Sequence, residues 1–315
     1  GGDNNAITPT NIMIKKQSNH GAANIDAVAV ANATLFVQRA KRKIRELAYN
    51  FDVDGYTAPD LTILAEHVTE GGIIEMAYQE EPLAIIWCVR NDGELVALTY
   101  QREQQVVAWH RHVFAGAFGS GNAVCESVAV IPTEDSEYEL YMIIKRTING
   151  ATKRYVEFLN TFDFDESDNT SFNFLDSQLS YSGSSATTIS GLSHLEGQEV
   201  SILADGATHP NKTVSSGSIT LDRAATKVKV GLGYTSLLKT MRIDAGAQNG
   251  TSQAKTKRIY EVTARLYESV GVEIGPDLNN MERVPFRTSS DPMDQGISPF
   301  TGDKEVEFRG DYDTD

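Results

Sequence analysis

The 315-residue sequence predicts an all-β protein: β-propeller blades, then a small inserted β-barrel or sandwich and a return strand segment. Three observations carry this. Short runs of β-branched and aromatic residues with period-2 alternation recur along the chain. Asn-Gly and Asp-Gly pairs fall between consecutive runs, where tight hairpins need positive φ. Helical periodicity is confined to 59–67 (PDLTILAEH), one or two turns opened by Pro59 and Asp60.

The runs follow in order: Leu35-Phe36-Val37, 85–89 (IIWCV), 94–100, 105–109, 128–131, 140–144 and 155–159. Asn91-Asp92-Gly93 separates the second from the third, and Asn149-Gly150 separates the last two. Three segments share one shape, an entry strand followed by a hairpin and a polar arm: 28–49, 76–100 with the outer strand QQVVAWHRHVF, and 128–159. Phe36, Trp87 and Met142 occupy equivalent places about 50 residues apart, a propeller-blade period, and each blade is expected to have one apolar face for a neighbour to cover. Three blades do not close a ring, so further blades are expected before Gly1, and both termini look cut.

Residues 1–162 are thus expected as propeller blades of an incomplete ring. Residues 163–190, acidic and then Ser/Thr/Gly-rich, read as an exposed crossover linker. Residues 191–248 read as a small β-barrel of short strands between Gly197, Asp205-Gly206 and Ser216-Gly217. Residues 249–315 read as a C-terminal β segment, with a long strand over 255–273 whose faces alternate Ile259, Glu261, Thr263, Arg265 against Tyr260, Val262, Ala264, Leu266.

Composition narrows the function. Lys plus Arg number 28 against 43 Asp plus Glu, a formal charge of −15, which opposes coating nucleic acid or anionic lipid. No apolar run approaches the ~18 residues of a membrane span, so no membrane anchor is expected. The two cysteines, Cys88 and Cys125, sit in apolar strand contexts and read as buried free thiols.

No catalytic, cofactor-binding or metal-binding residue is assigned, and no cofactor is expected. His110 and His112 share one strand face, with Cys88, Cys125 or His67 as further ligand candidates, yet two ligands do not make a zinc site and the pair reads as an outer-strand surface pair. The Gly119-Ser120-Gly121 and Ser182-Gly183-Ser184-Ser185 loops lack the nucleophile-elbow pattern. Asp163 with Asp165, and Asp311, Asp313 and Asp315, do not complete a calcium loop and read as solvated acidic loops. The basic run Arg39, Lys41, Arg42, Lys43, Arg45 reads as a solvated edge resisting strand pairing, the alternatives being a channel lining or contact with an acidic neighbour. Trp109, Phe114 and Phe118 read as packing between blades.

The wording of the second and third blades (LAIIWCVRNDGELVALTYQREQQVVAWHRHV, ESVAVIP, YELYMIIKRTINGATKRYVEFL), with ELAYNFDVDGYTAPDLTILAEH upstream, resembles the tail nozzle, or tail tubular protein B-like, family of short-tailed bacteriophages and prophages. The run GLSHLEGQEVSILADGATHPNKTVSSGSITLDRAATKVKVGLGYTSLLKT resembles a segment of the same proteins that is likened to the FCCH domain of ubiquitin-activating enzyme. No ubiquitin chemistry follows, since nothing here provides an ATP site or a defined catalytic cysteine. The stretch from RIYEVTARLYESVGVEIG to the end is similar to the family's C-terminal region, and this chain looks like a C-terminal fragment of a longer member.

The resemblance implies a structural virion protein with no enzymatic activity: a homo-oligomeric, usually six-fold ring of the viral tail. It would lie between the portal-adaptor and the tail fibre or tip proteins, would be made in the host bacterial cytoplasm, and would pass DNA during ejection without specific binding. An acidic lumen suits that task because it repels phosphate. Loops 115–124, 163–190 and 275–300 are candidates for reaching neighbouring subunits. A glycan-binding or glycan-cleaving tail propeller is the alternative from another class, weakened by the presence of only two tryptophans, Trp87 and Trp109. A cellular propeller scaffold rests on fold alone.

Overall fold

In the computed structural model the described residues are all but 1–7, 11, 13–15, 135–136, 161–167, 244–249, 254, 294, 308–311 and 313–315. The fold is all-β. Among the described residues, helix is limited to three-residue 3-10 turns at 102–104, 169–171 and 193–195. The chain divides into two compact units, Gly1–Thr161 and Phe162–Asp315.

The first unit contains three antiparallel meanders. β1 (Val28–Val30), β2 (Ala33–Val37), β3 (Ile44–Asn50) and β4 (Gly55–Thr57) pair in sequence order. β5 (Ile73–Gln79), β6 (Ile85–Arg90), β7 (Leu95–Gln101) and β8 (Val106–His112) do the same. After the short ribbon of β9 (Ala117–Phe118) and β10 (Gly121–Asn122) come β11 (Val124–Pro132), β12 (Tyr138–Ile148) and β13 (Ala151–Phe158), a three-stranded sheet. Asn149 and Gly150 both take positive φ, +48° and +71°, as the two-residue β12–β13 hairpin requires. Gly93, at φ +85° between β6 and β7, lies so close to Val124 that a Cβ would stand 2.3 Å from its Cγ1.

The middle sheet departs from the one-apolar-face expectation. All six residues of β6 are buried, because its alternating side chains enter two cores. Ile86 and Cys88, with Val96 and Leu98 of β7, pack against Leu35, Val37 and Ile44 of the first sheet. Ile85, Trp87 and Val89, with Leu95 and Ala97, pack against Val128, Leu140, Met142 and Ile144 of the third. A sheet covered on both faces reads as a continuous apolar run, which is what IIWCV and LVAL are.

The helical expectation over 59–67 is overturned. Asp60 accepts hydrogen bonds from the backbone and hydroxyl of Thr62, and single turns then close at Ala65 N to Thr62 O (2.8 Å), Val68 N to Ala65 O (2.9 Å) and Gly72 N to Thr69 O (3.0 Å). These i→i+3 closures bury Thr62, Ala65, Val68 and Thr69 at a spacing that imitates a helix face.

In the second unit, β14 (Asp176–Ser190), β15 (Glu199–Ala204), β16 (Ala207–Thr213) and β17 (Ser218–Leu232) form one sheet in the order β14-β17-β15-β16. Two expectations change. Half of the supposed crossover, β14, is a 15-residue strand paired antiparallel along β17. It is an edge strand whose Ser and Thr side chains are mostly exposed or half-buried, so its polar composition resembled a loop. And the sheet is open among the described residues, with β14 and β16 as its edges, so no closed barrel forms.

β18 (Glu261–Ser269), β19 (Glu273–Ile274), β20 (Glu282–Arg283) and β21 (Phe300–Glu307) complete the unit as two ribbons, β18 with β21 and β19 with β20. The long strand expected over 255–273 starts only at Glu261. Ile259 packs inward with Val262 while Tyr260 is exposed, so the alternation slips by one residue just before β18.

Candidate functional site

The histidine pair lies on the edge strand of the middle sheet. Register sets His110 opposite Ala97 and His112 opposite Leu95, on the face that Trp87 shares. His110 Nδ1 and His112 Nε2 are hydrogen-bonded at 2.8 Å, and Thr99 Oγ1 lies 3.1 Å from His110 Nε2. Both rings contact Trp87, with centroids 6.3 and 5.0 Å away. The pair is therefore half-buried against an indole rather than a surface feature, because the register across β6, β7 and β8 puts both rings on the Trp87 face of the sheet. Burial lowers the His110 pKa. Burial and the neighbouring His110 lower that of His112 to about 4, so both rings are neutral at pH 7.

The other proposed ligands do not join them. Cys88 points from the opposite face of β6 into the first core, and exposed His67 offers its backbone carbonyl to Arg111 at 2.7 Å. Cys125 shares the second core, but burial pushes its thiol up to about 12; burial also raises that of Cys88. Neither supplies a thiolate near neutrality. Among the described residues no group of three or more His, Cys, Asp and Glu is placed to hold a metal ion.

A cleft of about 320 Å³ opens beside His112, lined by Asp92, Glu94, Phe114, Phe118 and Asn122 among others. Its aromatic groups are engaged: Phe114 packs on the second core and Lys145 Nζ lies 4.4 Å from the Phe118 ring centroid. Trp109 packs on the first core and donates from Nε1 to Leu61 O at 2.9 Å.

The basic run is not a bare solvated edge. Lys43 Nζ reaches Asp60 at 2.8 Å and Glu66 at 2.9 Å, Arg42 reaches Glu70 at 3.6 Å, and Arg45 donates to Gln38 Oε1 and Ala58 O, each at 2.7 Å. The turn segment after β4 folds back beside β3 and brings these acids to the bases. Burial pushes the Asp60 carboxyl up, yet the Lys43 ammonium and the hydrogen bonds from Thr62 outweigh it and hold it below its ordinary value. The acidic-neighbour alternative is thus the one realised.

Of the two serine loops, Ser120 sits in the β9–β10 turn, while Ser182–Ser185 lie inside β14, where Tyr181 Oη donates to Ser184 O at 2.7 Å. Asp163, Asp165, Asp311, Asp313 and Asp315 lie outside the described residues.

The second unit has a polar cleft of about 660 Å³ lined by Asp168, Thr170, Asp205, Arg223, Glu268 and Gln295 among others. Two of its carboxylates, Asp168 and Asp205, are committed to local structure. Asp168 accepts from Thr170 N and Oγ1 and pairs with Lys227 at 3.0 Å, which brings its pKa to about 2. Asp205 accepts from Thr226 N and Lys227 N.

Two structural devices escaped sequence reasoning. Gln79 links three strands, accepting from Trp87 Nε1 at 2.8 Å and donating to Tyr138 O at 2.7 Å. Arg146 is fully buried, donates from Nε to Ala115 O at 2.9 Å and pairs with Glu157. A signal for the second existed: Arg146 continues the inward series Leu140, Met142, Ile144 and Ile148.

No family model matches this chain, and a search of curated proteins finds no similar sequence.

Proposed function

We propose that this protein is a structural subunit of a phage tail nozzle, one copy in a homo-oligomeric ring through which DNA leaves the particle. The observation that carries this reading is the face-to-face stacking of three antiparallel meanders, the middle one covered on both sides. In the proposal these are successive propeller blades, and the open sheet of the second unit corresponds to the small barrel-like domain implied by the family resemblance. The ionisable groups support a mechanical role. The histidine pair is neutral and packed on Trp87, the thiols are raised by burial, and two cleft carboxylates, Asp168 and Asp205, are tied to neighbouring backbone. A chain of net charge −15 lets duplex DNA slide past without tight ion pairing.

The proposed partners are other copies of the chain, the portal-adaptor above and the fibre or tip proteins below. Mass spectrometry of purified phage particles tests the reading. Finding this chain at a stoichiometry equal to a ring, and losing it with the tails on mechanical detachment, is the expected result. A chain missing from particles, or one that degrades host polysaccharide, contradicts it.

A further inference from the structure

Two exposed apolar surfaces of opposite charge remain outside everything described above. The first is the tip of the β3–β4 hairpin. Tyr49 and Tyr56 are paired across the strands with rings 5.6 Å apart, and Phe51 (87% exposed) and Val53 (63%) project from the turn between them. The tip is built rather than loose: Asp54 N donates to Phe51 O, Asp52 N donates to Asn50 Oδ1, and Tyr49 Oη donates to Asp54. Residues 49–57 carry two acids, Asp52 and Asp54, and no base.

The second surface is residues 233–243 (GYTSLLKTMRI), which follow β17 outside any strand. All eleven are exposed, Leu238 at 89% and Met241 at 90%. This arm carries Lys239 and Arg242 and no acid. Fully extended, it spans up to about 36 Å, enough to leave its own sheet.

We infer that the arm of one copy docks on the hairpin tip of a second copy, with Leu238 and Met241 covering Phe51 and Val53, and Lys239 facing Asp52 and Asp54. Both surfaces are apolar at the centre with charge beside, the make-up of a protein contact. They have opposite sign and occur once each per chain, so a head-to-tail contact between copies covers both without a second kind of partner. Added in one direction from copy to copy, the contact is heterologous and propagates into a ring or a filament, whereas a reciprocal exchange would close a two-fold dimer; the ring-subunit reading calls for the first. The inference deepens the ring-subunit reading and rests on it for closure.

Sedimentation velocity on the full chain tests it with two variants at exposed sites, Phe51→Ser/Val53→Ser at the tip and Leu238→Ser/Met241→Ser in the arm. Far-UV circular dichroism verifies that each folds. The expected result is that the wild type assembles beyond a dimer, that each variant associates at least roughly tenfold more weakly, and that a one-to-one mixture stops at dimers. That stop arises because one intact arm meets one intact tip and nothing further can add. A wild type that itself stops at a dimer overturns the head-to-tail contact. Assembly unchanged in both variants overturns the arm–tip contact while leaving the ring reading in place. A wild type that stays monomeric at every concentration overturns both.

Discussion

The middle sheet of the first unit and the β18–β21 ribbon of the second are both antiparallel, yet they are written in different alphabets. β6 and β7 read as an unbroken apolar run, and their alternate side chains fill two separate cores. β18 alternates strictly: Val262, Ala264 and Leu266 are half-buried, while Glu261, Thr263 and Arg265 face water, Arg265 pairing across the ribbon with Asp303 at 2.8 Å. The core beneath that ribbon centres on two buried valines, Val284 and Val306. The difference teaches how to count layers from sequence: alternation marks a strand with one covered face, and its loss marks a strand with two.

The contrast can be broken most forcefully inside the first unit. Both tryptophans lie there, so tryptophan fluorescence during denaturant unfolding reports that unit alone. Trp87→Ala empties the space between the second and third sheets and orphans Gln79 Oε1, a loss of about 3–5 kcal/mol. Arg146→Ala leaves Glu157 facing an unfilled site and is expected to cost about the same. Leu266→Ala in the ribbon, half-exposed at the outset, should cost about 1 kcal/mol by calorimetry. Equal losses at Trp87 and Leu266 would contradict the two-layer account.

The histidine pair supplies a pH test. Folding lowers the His112 pKa from 6.5 to about 4. Between those values the unfolded chain binds more protons than the folded one, so the stability contribution is complete above pH 6.5 and falls as pH drops toward 4. The loss amounts to about 3 kcal/mol across that window. His112→Leu should flatten this slope in fluorescence-detected unfolding; an unchanged slope would show that the ring is not held neutral against Trp87. Gly93→Ala is a smaller perturbation, about 1–3 kcal/mol, from the clash with Val124 and the positive φ. Smallest of all, Arg265→Ala should leave the calorimetric melting temperature essentially unchanged, since its ion pair is exposed.

Legibility followed the same divide. The three meanders of the first unit, with turns at Asn91-Asp92-Gly93 and Asn149-Gly150, could be read directly because hairpin chemistry and apolar runs are local. β14 could not, because an edge strand of Ser, Thr and Gly has no hydropathy signature and is specified by its partner β17. The slip between Ile259 and Val262 was hidden for a related reason: alternation gives the phase of a strand and not where it starts. Around the histidines the spacing indicated a shared face, but their seat against Trp87 depends on cross-strand register over three strands. For the basic run, only the fold-back of 58–70 beside β3 reveals Asp60, Glu66 and Glu70 as its partners.

The proposed role is that of a ring subunit through which DNA passes. Single-particle electron microscopy of the purified protein, compared with the tail end of the intact particle, tests it most directly. A closed ring with an opening wide enough for a duplex, matching density at the tail end, is the predicted result. Isolated single chains that match no density on the particle would contradict it.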